Sequence, residues 1–274
     1  MVNTVLAKSS DDGHTFQKLY DFSNLKFINV SLVKAKSTAD YPEPVATDIQ
    51  VMLGSGQYRK SDVYLAYQRG DQIEEKKINY FKGLVEEKPI WTLNESEAVP
   101  LFSQPCVGEL SVSYNEFIKK WILLYNCGNP RGINCRLADN PWGLWSEPFV
   151  IFEPWEDNGY CNFIHTNWDF RNCDFVHDQG RAYEWGGEYG PYQFDKLAQG
   201  NEDETTIYYT LSTWNPYTVV LMKSKLRYKG AITTGLKDEV NSGFKVFPNP
   251  ADDKVMIEFD HKKGGIADVK ILIR

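Results

Sequence analysis

Four short runs of β-branched and aromatic residues constrain this chain most: Val63-Tyr64-Leu65-Ala66-Tyr67, Trp121-Ile122-Leu123-Leu124-Tyr125, Thr206-Ile207-Tyr208-Tyr209-Thr210 and Val219-Val220-Leu221-Met222. Such side chains suit a pleated, well-packed surface, and the Gly, Pro, Asn and Asp residues around them cut it into short pieces. No segment of a dozen residues carries the 3.6-residue apolar period of an amphipathic helix. A chain of many short strands divided by turns builds a sandwich, a barrel or a propeller.

Composition removes several functional classes. The net charge is −7, whereas a nucleic-acid binder needs a basic face to offset phosphate charge. No apolar run approaches the ~20 residues that span a bilayer. With 8 Trp, 16 Tyr and 15 Phe, the chain is too aromatic to be disordered. Its 274 residues allow one or two domains. Five cysteines make an odd number, and none of them forms the CxxC spacing of a zinc or redox site. The spacings suit local disulfides Cys127–Cys135 and Cys161–Cys173 in an oxidising compartment, with Cys106 left over; buried free thiols are the alternative.

Three details favour the propeller. Ser9, Asp11, Gly13, Thr15 and Phe16 fit the Asp-box pattern Ser-x-Asp-x-Gly-x-Thr-aromatic. In that hairpin the Asp bonds the turn backbone, the Gly supplies a positive φ and the aromatic packs between blades. Pro141, Gly143, Trp145, Ser146 and Pro148 resemble the P-x-G-x-W-S-x-P blade ending of glycoside-hydrolase propellers. The strand at Trp121 precedes that ending as a middle blade strand would, and the units recur at roughly 50-residue spacing.

Near residue 230 the character changes. Val246-Phe247-Pro248-Asn249-Pro250-Ala251, followed by Asp253, Val255 and Ile257, resembles the opening of the C-terminal sorting domain of the type IX secretion system of Bacteroidetes. That resemblance implies a small β-sandwich read by the secretion machinery, and a secreted or cell-surface protein. Only 31 residues follow position 243, and Met1 to Phe16 hold no apolar export signal, so the chain is expected to be cut at both ends.

Three further segments carry a second resemblance. They are Gly54-Ser55-Gly56-Gln57-Tyr58-Arg59-Lys60-Ser61-Asp62-Val63-Tyr64-Leu65, Leu123-Leu124-Tyr125-Asn126-Cys127-Gly128-Asn129-Pro130-Arg131-Gly132-Ile133 and Tyr189-Gly190-Pro191-Tyr192. Together they resemble a bacterial five-bladed β-propeller family long described as a domain of unknown function. Some of its members are endo-acting D-arabinanases of mycobacterial cell-wall arabinan. The resemblance runs from about Phe27 to Leu226. It implies an all-β fold: a five-bladed β-propeller over 1–230 with its first blade incomplete, a linker over 231–243, and a truncated sorting domain over 244–274. It also implies a glycoside hydrolase acting on a furanose-containing polysaccharide without an organic cofactor. An axial calcium ion is left open.

Glycoside cleavage needs a carboxylic acid at the leaving oxygen and a carboxylate across the ring. In related five-bladed furanosidases the acid is a Glu of blade three, tuned by an Asp of blade two, and the opposing Asp lies in blade one. Carried over by blade count, the acid is Glu109 and the tuning residue Asp48. The opposing carboxylate then lies upstream of Met1, with Asp62, Glu188 and Asp195 as fallbacks. A lone Glu in Gly108-Glu109-Leu110-Ser111-Val112 is notable because ionised carboxylates are seldom buried unpaired. A salt bridge to Arg131 or Arg59 would be its structural explanation, and an exposed loop position that of Asp48.

Arg59 and Arg131 offer planar paired donors to sugar hydroxyls. Asn126, Asn129 and His165 join them as sugar binders, with Trp185, Tyr189, Tyr192 and Trp214 as stacking surfaces. Packing between blades is the other reading of these aromatics. His165 and His177 lack a carboxylate pattern for zinc and read as core histidines. A catalytically inactive carbohydrate-binding propeller is the rival function. A sialidase is weaker, since the Asp box is not repeated and no three-arginine clamp is evident.

Overall fold

All four runs lie inside strands of the computed structural model, which describes residues 3–166 and 176–228 and the backbone of 244–247 and 256–259. The chain divides into two units, Met1–Lys229 and Gly230–Arg274. In the first, β1 (Thr4–Lys8) and β2 (Gln17–Ser23) form an antiparallel hairpin. Next come β3 (Asn29–Lys36), β4 (Asp48–Ser55), β5 (Val63–Arg69), β6 (Asn79–Val85) and β7 (Lys88–Thr92), neighbours in chain order, with β8 (Pro100–Phe102) pairing back onto β5. A four-stranded meander follows: β9 (Leu110–Asn115), β10 (Lys120–Gly128), β11 (Arg131–Ala138) and β12 (Phe149–Phe152). In the last sheet β15 (Glu204–Trp214) pairs with β13 (Gly187–Tyr189), β14 (Gln199–Gly200) and β16 (Thr218–Arg227). In the second unit β17 (Phe244–Phe247) pairs antiparallel with β18 (Met256–Phe259). The fold is all-β: among the described residues the only helical pieces are three short 3₁₀ turns. Among the described residues no sheet closes on itself.

The meander is covered on both faces, and its sequence shows why. Along β10, Trp121, Leu123 and Tyr125 pack with Val51, Leu53, Leu65 and Tyr67 of the preceding sheet. Ile122 and Leu124 pack instead with Ile207, Tyr209 and Leu211 of β15. A strand buried on both faces has no polar alternation, so it reads as one apolar run.

Asp11 holds the β1–β2 turn, accepting from the Thr15 backbone N–H (2.9 Å) and hydroxyl (2.6 Å). Gly13 has φ +89°, a conformation that only glycine adopts without strain. The expected packing of Phe16 between sheets is not observed: its side chain is 69% exposed. The hairpin is anchored by Phe22, buried with Phe27, Met52 and Tyr80. The tryptophans of the Pro141–Ser146 motif are both buried, Trp142 meeting Tyr41 edge-to-face at 5.6 Å. Ser146 closes the motif, its N–H donating to the Leu137 carbonyl (2.8 Å).

Cys127 pairs differently from expectation. Cys106 is joined to Cys127, and Cys135 is a buried free thiol. Strand alternation is the reason: Cys127 faces the core cluster shared with β4 and β5, while Cys135 faces the one shared with β15. Cys161 is disulfide-bonded; Cys173, its expected partner, lies outside the described residues.

Candidate active site

A cleft of about 530 Å³ in the larger unit gathers side chains from four separated stretches of sequence. Tyr58 and Arg59 come from the turn between β4 and β5, and Glu109 stands immediately before β9. Trp185, Glu188 and Tyr189 come from β13 and its approach, and Trp214 and Tyr217 from the β15–β16 turn. The turn bearing Arg59 is tied to the second stretch, since the Arg59 N–H donates to the Val107 carbonyl (3.2 Å).

The two glutamates occupy different environments. Glu109 is half-buried, and the Tyr58 hydroxyl donates to its Oε2 at 3.4 Å. Neither arginine forms the ion pair that would explain Glu109 structurally. Arg59 Nε donates to the Tyr58 hydroxyl (3.2 Å), and an Arg131 Nη lies 3.8 Å from Glu188 Oε2. Glu188 is only 8% exposed. Burial raises its pKa above the ordinary glutamate range, against the opposing pull of a backbone hydrogen bond and of the Arg131 and Arg59 charges. Arg131 also donates to the Tyr160 hydroxyl and lies over that ring, so its guanidinium is held beside Glu188.

Of the other expected residues, Trp185, Tyr189 and Trp214 line the cleft beside both glutamates. Tyr192 lines an adjoining depression that also reaches Glu109. Asn126 is fully buried and so cannot meet a ligand as expected. Its main chain bonds to Gly108 and Glu109, and its amide donates to the Glu188 carbonyl (3.5 Å). Asn129 lies in the β10–β11 turn, its carbonyl accepting from Gln104 Nε2 (3.2 Å). His165 is a core residue, fully buried, with Nε2 2.7 Å from the Ala182 carbonyl and its ring against His177.

Asp48 stands outside the cleft, its carboxylate exposed and paired with Lys36 at 2.7 Å. Among the fallbacks, Asp62 caps the Gln104 N–H (2.8 Å) and Asp195 bonds the Lys196 N–H (2.8 Å), both outside the cleft. Glu188 alone joins Glu109. The sequence holds a signal for it: each glutamate directly follows a glycine at the head of a strand. Tyr58 and Tyr217 carry no comparable signal.

A larger groove, about 750 Å³, runs past Lys34, Tyr114, Trp142 and Asp195. Its carboxylates Glu116 and Asp139 are exposed and paired with Lys119 and Lys120. Among the described residues no group of three or more His, Cys, Asp or Glu side chains is placed to hold a metal ion. None of their helices is long and apolar enough to cross a membrane.

The family model of a domain of unknown function (DUF4185) matches residues 2–223. None of the curated proteins matches the chain.

Proposed function

The chain belongs to the DUF4185 family, whose description assigns no activity, and we propose that it is a glycoside hydrolase cutting a furanose-containing polysaccharide in the manner of an endo-D-arabinanase. The observation that carries this reading is the pair Glu109 and Glu188 in one aromatic cleft, with Glu188 the more deeply buried. A carboxyl whose pKa is raised by burial holds its proton more tightly and suits the role of the acid, with the second carboxylate across the cleft as base or nucleophile.

Glu188, rather than Glu109, is therefore the acid. Its proton goes to the glycosidic oxygen as the bond from that oxygen to the anomeric carbon breaks, the electron pair leaving with the oxygen. Positive charge develops on the sugar, and the Glu109 carboxylate stabilises it, as nucleophile or as the base that activates water. Tyr58 orients Glu109, and Arg131 stabilises Glu188 once it has given up its proton. Trp185, Tyr189 and Trp214 offer faces for furanose rings.

The rest of the reading belongs to the same proposal. Sheets packed face to face about the β9–β12 meander support a five-bladed propeller. The sorting-domain motif from Val246 supports export by the type IX machinery to the cell surface or beyond. The Cys106–Cys127 disulfide supports it too, because disulfides persist in oxidising compartments.

The test is incubation of the protein with D-arabinan, L-arabinan and fructan, followed by chromatography of the products. Oligosaccharides are expected from D-arabinan and are expected to vanish with Glu188→Gln or Glu109→Gln. Binding without cleavage of any of the three would leave a carbohydrate-binding domain in place of an enzyme.

A further inference from the structure

We propose that Asn126 is the positioning residue that fixes Glu109 and Glu188 relative to one another, an inference that rests on the hydrolase reading. Its carbonyl accepts from the Gly108 N–H (2.9 Å), its own N–H donates to the Glu109 carbonyl (3.4 Å), and its side-chain Nδ2 donates to the Glu188 carbonyl (3.5 Å). One residue of β10 thus touches the main chain of both glutamates, which are 79 positions apart in sequence.

Two further observations single out this side chain. A Cβ on Gly108 would fall 2.1 Å from Asn126 Oδ1, so the residue before Glu109 must be glycine for the amide to occupy its place. That Oδ1 is buried without a hydrogen-bond partner among the described residues. An unpartnered buried acceptor destabilises a fold, so stability alone does not account for an asparagine here. The next residue, Cys127, is bonded to Cys106, which ties the same end of β10 covalently to the segment leading into Glu109. What this arrangement fixes is the separation of the two carboxyl groups. That distance decides between a covalent intermediate and direct attack by water, and small errors in it are costly to rate.

The experiment uses the full chain with Asn126→Ala and Asn126→Asp. The second keeps the size of the side chain and both main-chain bonds while replacing the amide donor. Folding is checked by circular dichroism. The Glu188 carboxyl is titrated by ¹³C NMR, and kcat and KM are measured on the glycan that the wild type cuts. In Asn126→Ala, Glu188 relaxes toward water, so its midpoint falls toward the ordinary glutamate range and kcat drops roughly 100-fold with KM nearly unchanged. In Asn126→Asp the added carboxylate moves the Glu188 midpoint upward and carries the alkaline limb of the pH profile with it.

A Glu188 midpoint equal to wild type in a folded variant overturns the proposal, and so does an unchanged kcat. Should the wild type cut no glycan, the hydrolase reading fails by itself. The titration then still decides whether Asn126 positions Glu188.

Discussion

Glu109 and Glu188 have the same side chain, and deeper burial is the largest cause of the raised Glu188 pKa. The consequence for stability has a definite sign. Because the folded protein holds the Glu188 proton more tightly than the unfolded chain does, stability falls as pH rises from the ordinary glutamate value, 4.5, through the raised one. Glu188→Gln removes that loss. Its melting temperature at pH 7, followed by calorimetry, should equal or exceed that of the wild type, with the gap closing below pH 4.5. Its kcat should drop by about 10²–10⁴-fold, the usual contribution of acid–base assistance. A residue kept for stability would show the opposite pairing of effects. Glu109 was legible in the sequence because a single acid at the head of an apolar strand has no packing reason to be there. Glu188 was legible only as a fallback, since its burial and its neighbour Arg131 are set by the fold, from elements remote in sequence. Asp48 shows the limit of counting blades: register places it at the β4 edge opposite Lys36, in water.

Strands were legible as elements because composition and turn residues act locally. The Val63, Trp121, Thr206 and Val219 runs all fall within β5, β10, β15 and β16. Pairing between distant elements was not. Cys127 and Cys135 are close in sequence on adjacent strands, yet the alternation of side chains across the meander sends them into different core clusters. The bond that does form, Cys106–Cys127, spans 21 residues and encloses Glu109 and all of β9. On the chain-entropy account, closing a loop of that length stabilises the fold by about 3 kcal/mol. Replacing both cysteines with serine should lower the urea midpoint and steepen the transition, because the unfolded chain loses its cross-link and exposes more surface. Because Asn126 adjoins Cys127, the same variant should also lose part of its activity. A midpoint equal to wild type would mean that the strands hold this segment without the covalent link.

At the scale of the molecule, the cleft exists only because loops from three sheets meet, bringing Tyr58 within the same hollow as Tyr217. The sequence offered the aromatics of this hollow with two readings each, packing or contact with sugar. Exposure differs among the chain's tryptophans. Trp142 and Trp145 are buried in the core, whereas Trp185 and Trp214 are 37% and 43% exposed beside the two glutamates. Trp214 is held from behind, with the Arg181 guanidinium 4.1 Å from its ring centroid and Tyr217 edge-on at 4.7 Å. A ring clamped in this way loses little freedom when a sugar stacks on it, so it adds to binding rather than to bond breaking. Catalysis and binding should therefore come apart in variants. The double variant Glu109→Gln with Glu188→Gln should still bind arabinan oligosaccharides, seen as a change in tryptophan fluorescence, while releasing no product. Adding Trp214→Ala to it should weaken that binding by about tenfold, close to the 1.4 kcal/mol that such a factor represents. If the triple variant bound as tightly as the double, the sugar would have to lie elsewhere, with the depression beside Tyr192 the next surface to test.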